Sequence, residues 1–179
     1  MENDKIVQLL QYRRHDLVND MQVIHGYSSM QMFDKVQEKL DEFMITTEHE
    51  RKLHMLGAHQ FILWVEMFRI LHENLKLTYE VNDYVDLSAH DEWITNICEK
   101  LINEMNQHVH YEELYDIHLS IYKNTEQKAC IQFVIEQINK DVYDNLHECL
   151  KPLENSLCSF SYSENRLTYN IQIDETIEG

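Results

Sequence analysis

The sequence predicts an α+β chain: an N-terminal antiparallel helical hairpin that dimerises into a four-helix bundle, followed by a sandwich of one sheet against helices. Three observations carry that reading. An apolar period of 3.6 residues runs from about Asp4 to Phe43, interrupted once near Ser29. Beyond Gly57 helical and alternating patterns are mixed, and most of the later segments alternate as strands. The two parts also differ in charge, with a net −3 over residues 1–57 and −14 over residues 58–179, of −17 in all.

Helix 1 is expected from about Asp4 to Ser29, where Gly26-Tyr27-Ser28-Ser29 weakens helical propensity. With Leu17 set at zero and about 100° per residue, Ile6, Leu10, Leu17, Met21 and Ile24 fall within about 40° of one line. A second helix begins near Phe33. Its Phe33, Val36, Leu40 and Phe43 keep the spacing of a packing seam and read as core, with Asp34, Lys35, Glu38, Lys39, Asp41 and Glu42 outside. Two amphipathic helices alone leave apolar stripes uncovered, so pairing with a second copy is the expected solution.

Gly57 follows a basic last turn (Arg51, Lys52, His54) and is read as the division between domains 1–57 and 58–179. A helix over His59–Asn74 and a strand over Leu75–Val81 come next. Ser88–His108 reads as a helix capped by the S-x-x-D pattern of Ser88 and Asp91. Strands are expected at Leu114–Ile121, Ala129–Ile135, Leu157–Tyr162 and Leu167–Ile173, with a short helix around Asp141–Leu150 ended by Pro152.

Composition narrows the function. A charge of −17 repels a nucleic-acid backbone and an anionic membrane surface. No apolar stretch approaches a membrane span, and Met1-Glu2-Asn3-Asp4-Lys5 lacks a cationic signal region, so a cytoplasmic protein is expected. Cys98, Cys130, Cys149 and Cys158 stand singly and read as reduced thiols, with no metal expected. His108-Val109-His110 lacks a matched acid or cysteine cluster and reads as surface.

The informative motif is His15-Asp16-Leu17-Val18-Asn19. With 11 His, 12 Asp and 13 Asn, His-Asp-x-x-Asn is expected about 0.05 times by chance. Four other histidines precede an acid, at His49, His72, His90 and His147, and none has Asn four residues on. His15 falls near 160° from the apolar line, among Gln8, Gln11, Tyr12, Asn19 and Gln22. An imidazole so placed is presented rather than packed.

Arg14-His15-Asp16-x-x-Asn19-x-x-Gln22-x-Ile24-x-Gly26, the Phe33–Phe43 helix and Asp86-Leu87-Ser88-Ala89 together resemble the sporulation initiation phosphotransferase B family. That family looks like a sensor histidine kinase reduced to its dimerising helices and a degenerate ATP-binding-type domain, passing a phosphoryl group between response regulators. The resemblance implies an α/β sandwich of that degenerate type and a phosphorylated His15. ATP is not expected: no glycine lies between Gly57 and Gly179, and phosphate-cradling loops need them. Asn103 and Asn106, in a stretch resembling a kinase Asn motif, read as helix surface or packing.

The expected chemistry follows. A neutral ring nitrogen of His15 attacks an aspartyl phosphate on one receiver domain and passes the group to an aspartate on another. Asn19, one turn on, is placed to hydrogen-bond the ring or the phosphoryl oxygens. Arg14 offsets phosphoryl charge or pairs with an acid across the dimer. Asp16, about 100° away, orients the imidazole only by bending back. Gln11, Tyr12 and Gln22 read as docking surface, and Mg²⁺ is expected from the receiver. The competing reading is a non-enzymatic dimeric adaptor that sequesters a kinase or regulator, with His15 incidental.

Overall fold

The computed structural model describes residues 2–109, 113–153 and 157–173. Its architecture is α+β, and backbone contacts divide it into Met1–Arg51 and Lys52–Gly179. The elements are α1 (Glu2–Ser29), α2 (Phe33–His54), α3 (His59–Leu71), β1 (Leu75–Val81), α4 (Asp91–His108), β2 (Tyr115–Lys123), β3 (Ala129–Ile135), α5 (Lys140–Leu150), β4 (Cys158–Ser163) and β5 (Arg166–Ile173).

In the first unit α1 and α2 run antiparallel. Arg13 pairs with Glu50, while Lys39 Nζ lies 3.5 Å from Asp20 Oδ1, so partner numbers fall on one helix as they rise on the other. The Gly26–Ser29 stretch does not unwind the helix. The chain reverses at Gln31, which takes φ 58°. Met32 N–H donates to Tyr27 C=O at 2.9 Å and Gln31 N–H to Ser28 C=O at 3.0 Å, the paired bonds of a Schellman cap. The stop comes from these backbone bonds, with Gln where glycine is usual.

The Phe33–Phe43 seam is not a core within one chain. Phe33 is 66% exposed and Leu40 37%, while Val36 and Phe43 are half-buried. On α1, Ile6, Leu10, Leu17 and Met21 are exposed as well. One pair of helices has too little facing surface to cover both stripes.

The second unit is a five-stranded mixed sheet in the order β1-β2-β3-β5-β4, with one face against α3, α4 and α5. The later strands pair antiparallel, but β1 runs parallel to β2, from Leu75↔Tyr115 to Val81↔Ile121. That arrangement requires a crossover, and α4 supplies it. Strand alternation sets the covered face: Ile117, Leu119 and Ile121 stand opposite Ile135, Phe133 and Ile131, which stand opposite Leu167, Tyr169 and Ile171. All nine are buried. Trp64 of α3 meets Phe133 edge-on, with ring centroids 6.2 Å apart. The opposite face is polar at Gln132 and Asn170, joined by a 2.7 Å hydrogen bond.

Residues 53–58 belong to this core, with Leu53, Leu56 and Ala58 fully buried. Leu87 N–H donates to Leu56 C=O at 2.8 Å, which draws the 86–88 segment across Gly57. Gly57 has φ 73°, and a Cβ there would lie 3.0 Å from Asp86 Oδ1 and 3.1 Å from Ser88 Cβ. Here the backbone requires glycine on two grounds.

The expected cap of α4 is a correction. Ser88–His90 forms a separate 3₁₀ turn, and the residue preceding α4, His90, makes no side-chain cap. Asp91 instead caps α3: its Oδ2 accepts from Gln60 N–H and its Oδ1 from Phe61 N–H, each at 2.9 Å. The S-x-x-D spacing is real, but the acid serves a helix 30 residues earlier.

Candidate functional site

α1 has a single long helical run around His15 and no buried residue in its neighbourhood. The His15 side chain is 70% exposed. Asn19, one turn on, brings Nδ2 to 3.1 Å from His15 Nδ1. Asp16 does bend back, with Oδ1 3.6 Å from the same nitrogen. Both neighbours therefore address Nδ1, and among the described residues no group contacts Nε2. One nitrogen is held and the other is open to an incoming molecule.

The remaining expected positions lie along the same helix. Gln11, Tyr12, Arg14 and Gln22 are all exposed. Arg13, which the sequence reading did not single out, closes the hairpin with Glu50. Its side chain is half-exposed and its guanidinium joins α1 to α2 two residues before His15. The signal for it was only the antiparallel register, which follows once the turn at Gln31 is known.

Three of the other His-acid pairs serve packing. His90 meets Trp93 edge-on at 6.4 Å between centroids, and His147 lies 5.5 Å from the Tyr143 ring. His72 lies 4.5 Å from the Phe68 ring and accepts from Asn106 Nδ2 at Nδ1, 3.2 Å away. Burial holds the His72 imidazole below its ordinary pKa of 6.5. Asn106 is thus spent on a helix contact, and exposed Asn103 lends its carbonyl to Gln107.

One group of potential ligands forms that the sequence reading did not assemble. Glu104 and His108, a helical turn apart on α4, meet Cys149 of α5, with Sγ 3.5 Å from His108 Nε2. Burial and the Glu104 carboxylate both raise the Cys149 thiol above its ordinary pKa. Cys98, Cys130 and Cys158 are buried thiols. His110, the other half of the His-x-His pair, lies outside the described residues. No helix among the described residues is long and apolar enough to cross a membrane.

An exposed histidine lies on a long two-helix hairpin that precedes a mixed-sheet α+β unit in the chain, and known proteins match both the sequence and the fold. Residues 1–56 match the family described as Sensor kinase SpoOB-type, alpha-helical domain. The chain is a relative of sporulation initiation phosphotransferase B of Bacillus subtilis (strain 168), with 32% identity over 124 residues. That match covers 69% of this chain and 64% of the relative's length. Among solved structures, the blue-light activated histidine kinase of Erythrobacter litoralis EL346 is 12% identical, with 89% of this chain and 58% of that one covered and a TM-score of 0.46. Histidine kinase AdeS of Acinetobacter baumannii is 13% identical, with 90% and 98% covered and a TM-score of 0.43.

Proposed function

We propose that this chain is a phosphorelay phosphotransferase in the control of sporulation initiation, with His15 carrying the phosphoryl group from the aspartyl phosphate of one response regulator to the aspartate of a second. The observation that carries the reading is the His15 ring itself: exposed, restrained at Nδ1 and open at Nε2. Kinship to a protein named as a phosphotransferase supports the reaction class.

The chemistry balances without an added reactant. Nε2 attacks phosphorus in line, the P–N bond forms, and the donor's acyl–phosphate P–O bond breaks to release its carboxylate. In the second half the acceptor carboxylate attacks and the P–N bond breaks. Asn19 at 3.1 Å and Asp16 at 3.6 Å both face Nδ1, and between them they set which ring nitrogen carries the proton. Attack through Nε2 requires the proton on Nδ1, where Asp16 Oδ1, 3.6 Å away, becomes its acceptor once drawn in. A half-turn of the Asn19 amide presents Oδ1 in place of Nδ2 and completes that restraint. Asp16 and Asn19 are therefore positioning residues, and Arg14 is the cation nearest in sequence to offset the phosphoryl oxygens. Gln11, Tyr12 and Gln22 form the polar surface a receiver would meet.

The residues around His15 do not fit a Mg²⁺ site, since among the described residues Asp16 alone brings a carboxylate to the ring. In this reading Mg²⁺ arrives with the receiver. The second unit is assigned no nucleotide chemistry.

The exposed stripes of α1 and α2 support a homodimer, in which two hairpins cover each other as a four-helix bundle. Incubation with an aspartyl-phosphorylated receiver and Mg²⁺, without ATP, tests the proposal. Acid-labile phosphate on His15, absent from His15→Gln, is the expected result. Tight receiver binding without transfer would favour an adaptor, and labelling from ATP alone would favour a kinase.

A further inference from the structure

Glu104 and His108 share one face of α4, four residues apart, which places their side chains side by side toward the same neighbour. That neighbour is the last turn of α5, where Cys149 sits beside both. One ligand atom from each of the three residues lies within 4.8 Å of the others. Carboxylate, imidazole and thiolate together form a donor set suited to a borderline divalent ion, above all Zn²⁺, rather than to Mg²⁺ or Ca²⁺.

The spacing can be compared with what such an ion requires. With Zn–S of about 2.3 Å, Zn–N of about 2.05 Å and a tetrahedral angle, sulfur and nitrogen stand about 3.6 Å apart. Cys149 Sγ and His108 Nε2 are 3.5 Å apart. The charges agree: Glu148 as well as Glu104 acts on the thiol, with Lys100 the cation among the described residues that opposes them.

We propose that Glu104, His108 and Cys149 bind Zn²⁺ as a three-ligand site clamping α4 to α5, with water in the fourth position. On binding, the Sγ–H proton passes to solvent as the Zn–S bond forms, and neither metal nor sulfur changes oxidation state. The site joins the crossover helix of the sheet to the helix between β3 and β4. It takes no part in chemistry at His15. The sequence spacing offers no sign of such a site, because 41 residues separate the two ligands that meet.

The test uses the full chain, without an affinity tag, stripped by a chelator, reduced and kept anaerobic. It is titrated with Co²⁺ and then with Zn²⁺. The expected result is one equivalent of Co²⁺ with a thiolate-to-cobalt charge-transfer band that Zn²⁺ abolishes. Cys149→Ser removes the band. His108→Gln weakens binding by at least about tenfold, since loss of even an outer-shell partner costs 10–100-fold. Circular dichroism of each variant confirms that the fold persists, and Glu104→Gln gives an independent variant should either fail to fold. Absence of the band in the parent chain would overturn the site and leave Cys149–His108 as a thiol–imidazole contact. An undiminished band in Cys149→Ser would assign the thiolate elsewhere and overturn it equally.

Discussion

Asp91→Ala is expected to destabilise the second unit by about 2–3 kcal/mol. Two backbone donors in the first turn of α3, Gln60 N–H and Phe61 N–H, each lose a 2.9 Å bond to a carboxylate oxygen. Cap residues contribute about 1 kcal/mol with one such bond, and a bond to a charged acceptor about 1.5–3 kcal/mol. The half-buried site keeps part of the charge-assisted gain, and Phe61, fully buried, anchors the turn whose cap is lost. Asp91→Asn retains one acceptor and turns the other into a donor, so roughly half the loss is expected. Ser88→Ala removes an exposed hydroxyl beside Asp86 and should cost under about 1 kcal/mol. The assay is urea unfolding followed by tryptophan fluorescence, because Trp64 and Trp93, the two tryptophans, both lie in the second unit. At an m-value of about 1.5–2 kcal/mol/M, the Ala variant should lower the midpoint by about 1–2 M. A larger effect for Ser88→Ala than for Asp91→Ala would refute the reasoning and restore a cap on α4 itself.

Further outcomes follow from the same structure. Gly57→Ala should destabilise by about 2 kcal/mol in the same assay, from the left-handed backbone at φ 73° and a Cβ held 3.0–3.1 Å from Asp86 and Ser88. Under the proposed pairing of two hairpins, Leu10→Asp, at a position 64% exposed in one chain, should leave a monomer in sedimentation velocity where the parent chain is a dimer, with its helix content retained. Acidification should weaken the second unit in two steps. The folded pKa of His72 lies below its unfolded value, so its contribution is complete above about pH 6.5 and is lost as the pH falls through the folded pKa. Glu80 and Asp86 are lowered by hydrogen bonds from Asn82 and Ser88 respectively, so their contributions are lost only below the usual carboxylate range. His72→Gln should abolish the upper step of the midpoint-versus-pH curve and leave the lower one.

The elements that the sequence reading located well are those whose pattern is local. β1 and β3 fall at the expected bounds, and α2, α5, β4 and β5 begin within a residue of expectation. Their strand alternation or helical period is set by burial against the sheet, and so is written into neighbouring residues. What escaped depended on distant partners. Asp91 reads as a cap for its own helix until Gln60 and Phe61 are seen beside it. A parallel β1–β2 pair leaves no mark on either strand's alternation. Gln31 carries no glycine signal for its positive φ, and Cys149 meets His108 from 41 residues away. At His15 the helical wheel already separated the ring from the apolar line. Side-chain reach then let Asp16 approach Nδ1 despite its angular offset.

The most direct test of the phosphotransferase account is the phosphate map after incubation with a phosphorylated receiver and Mg²⁺ in the absence of ATP. The account predicts acid-labile phosphate on His15, passed on when a second, unphosphorylated receiver is added and absent throughout in His15→Gln. Transfer undiminished in His15→Gln, or phosphate mapped to another histidine, would contradict it.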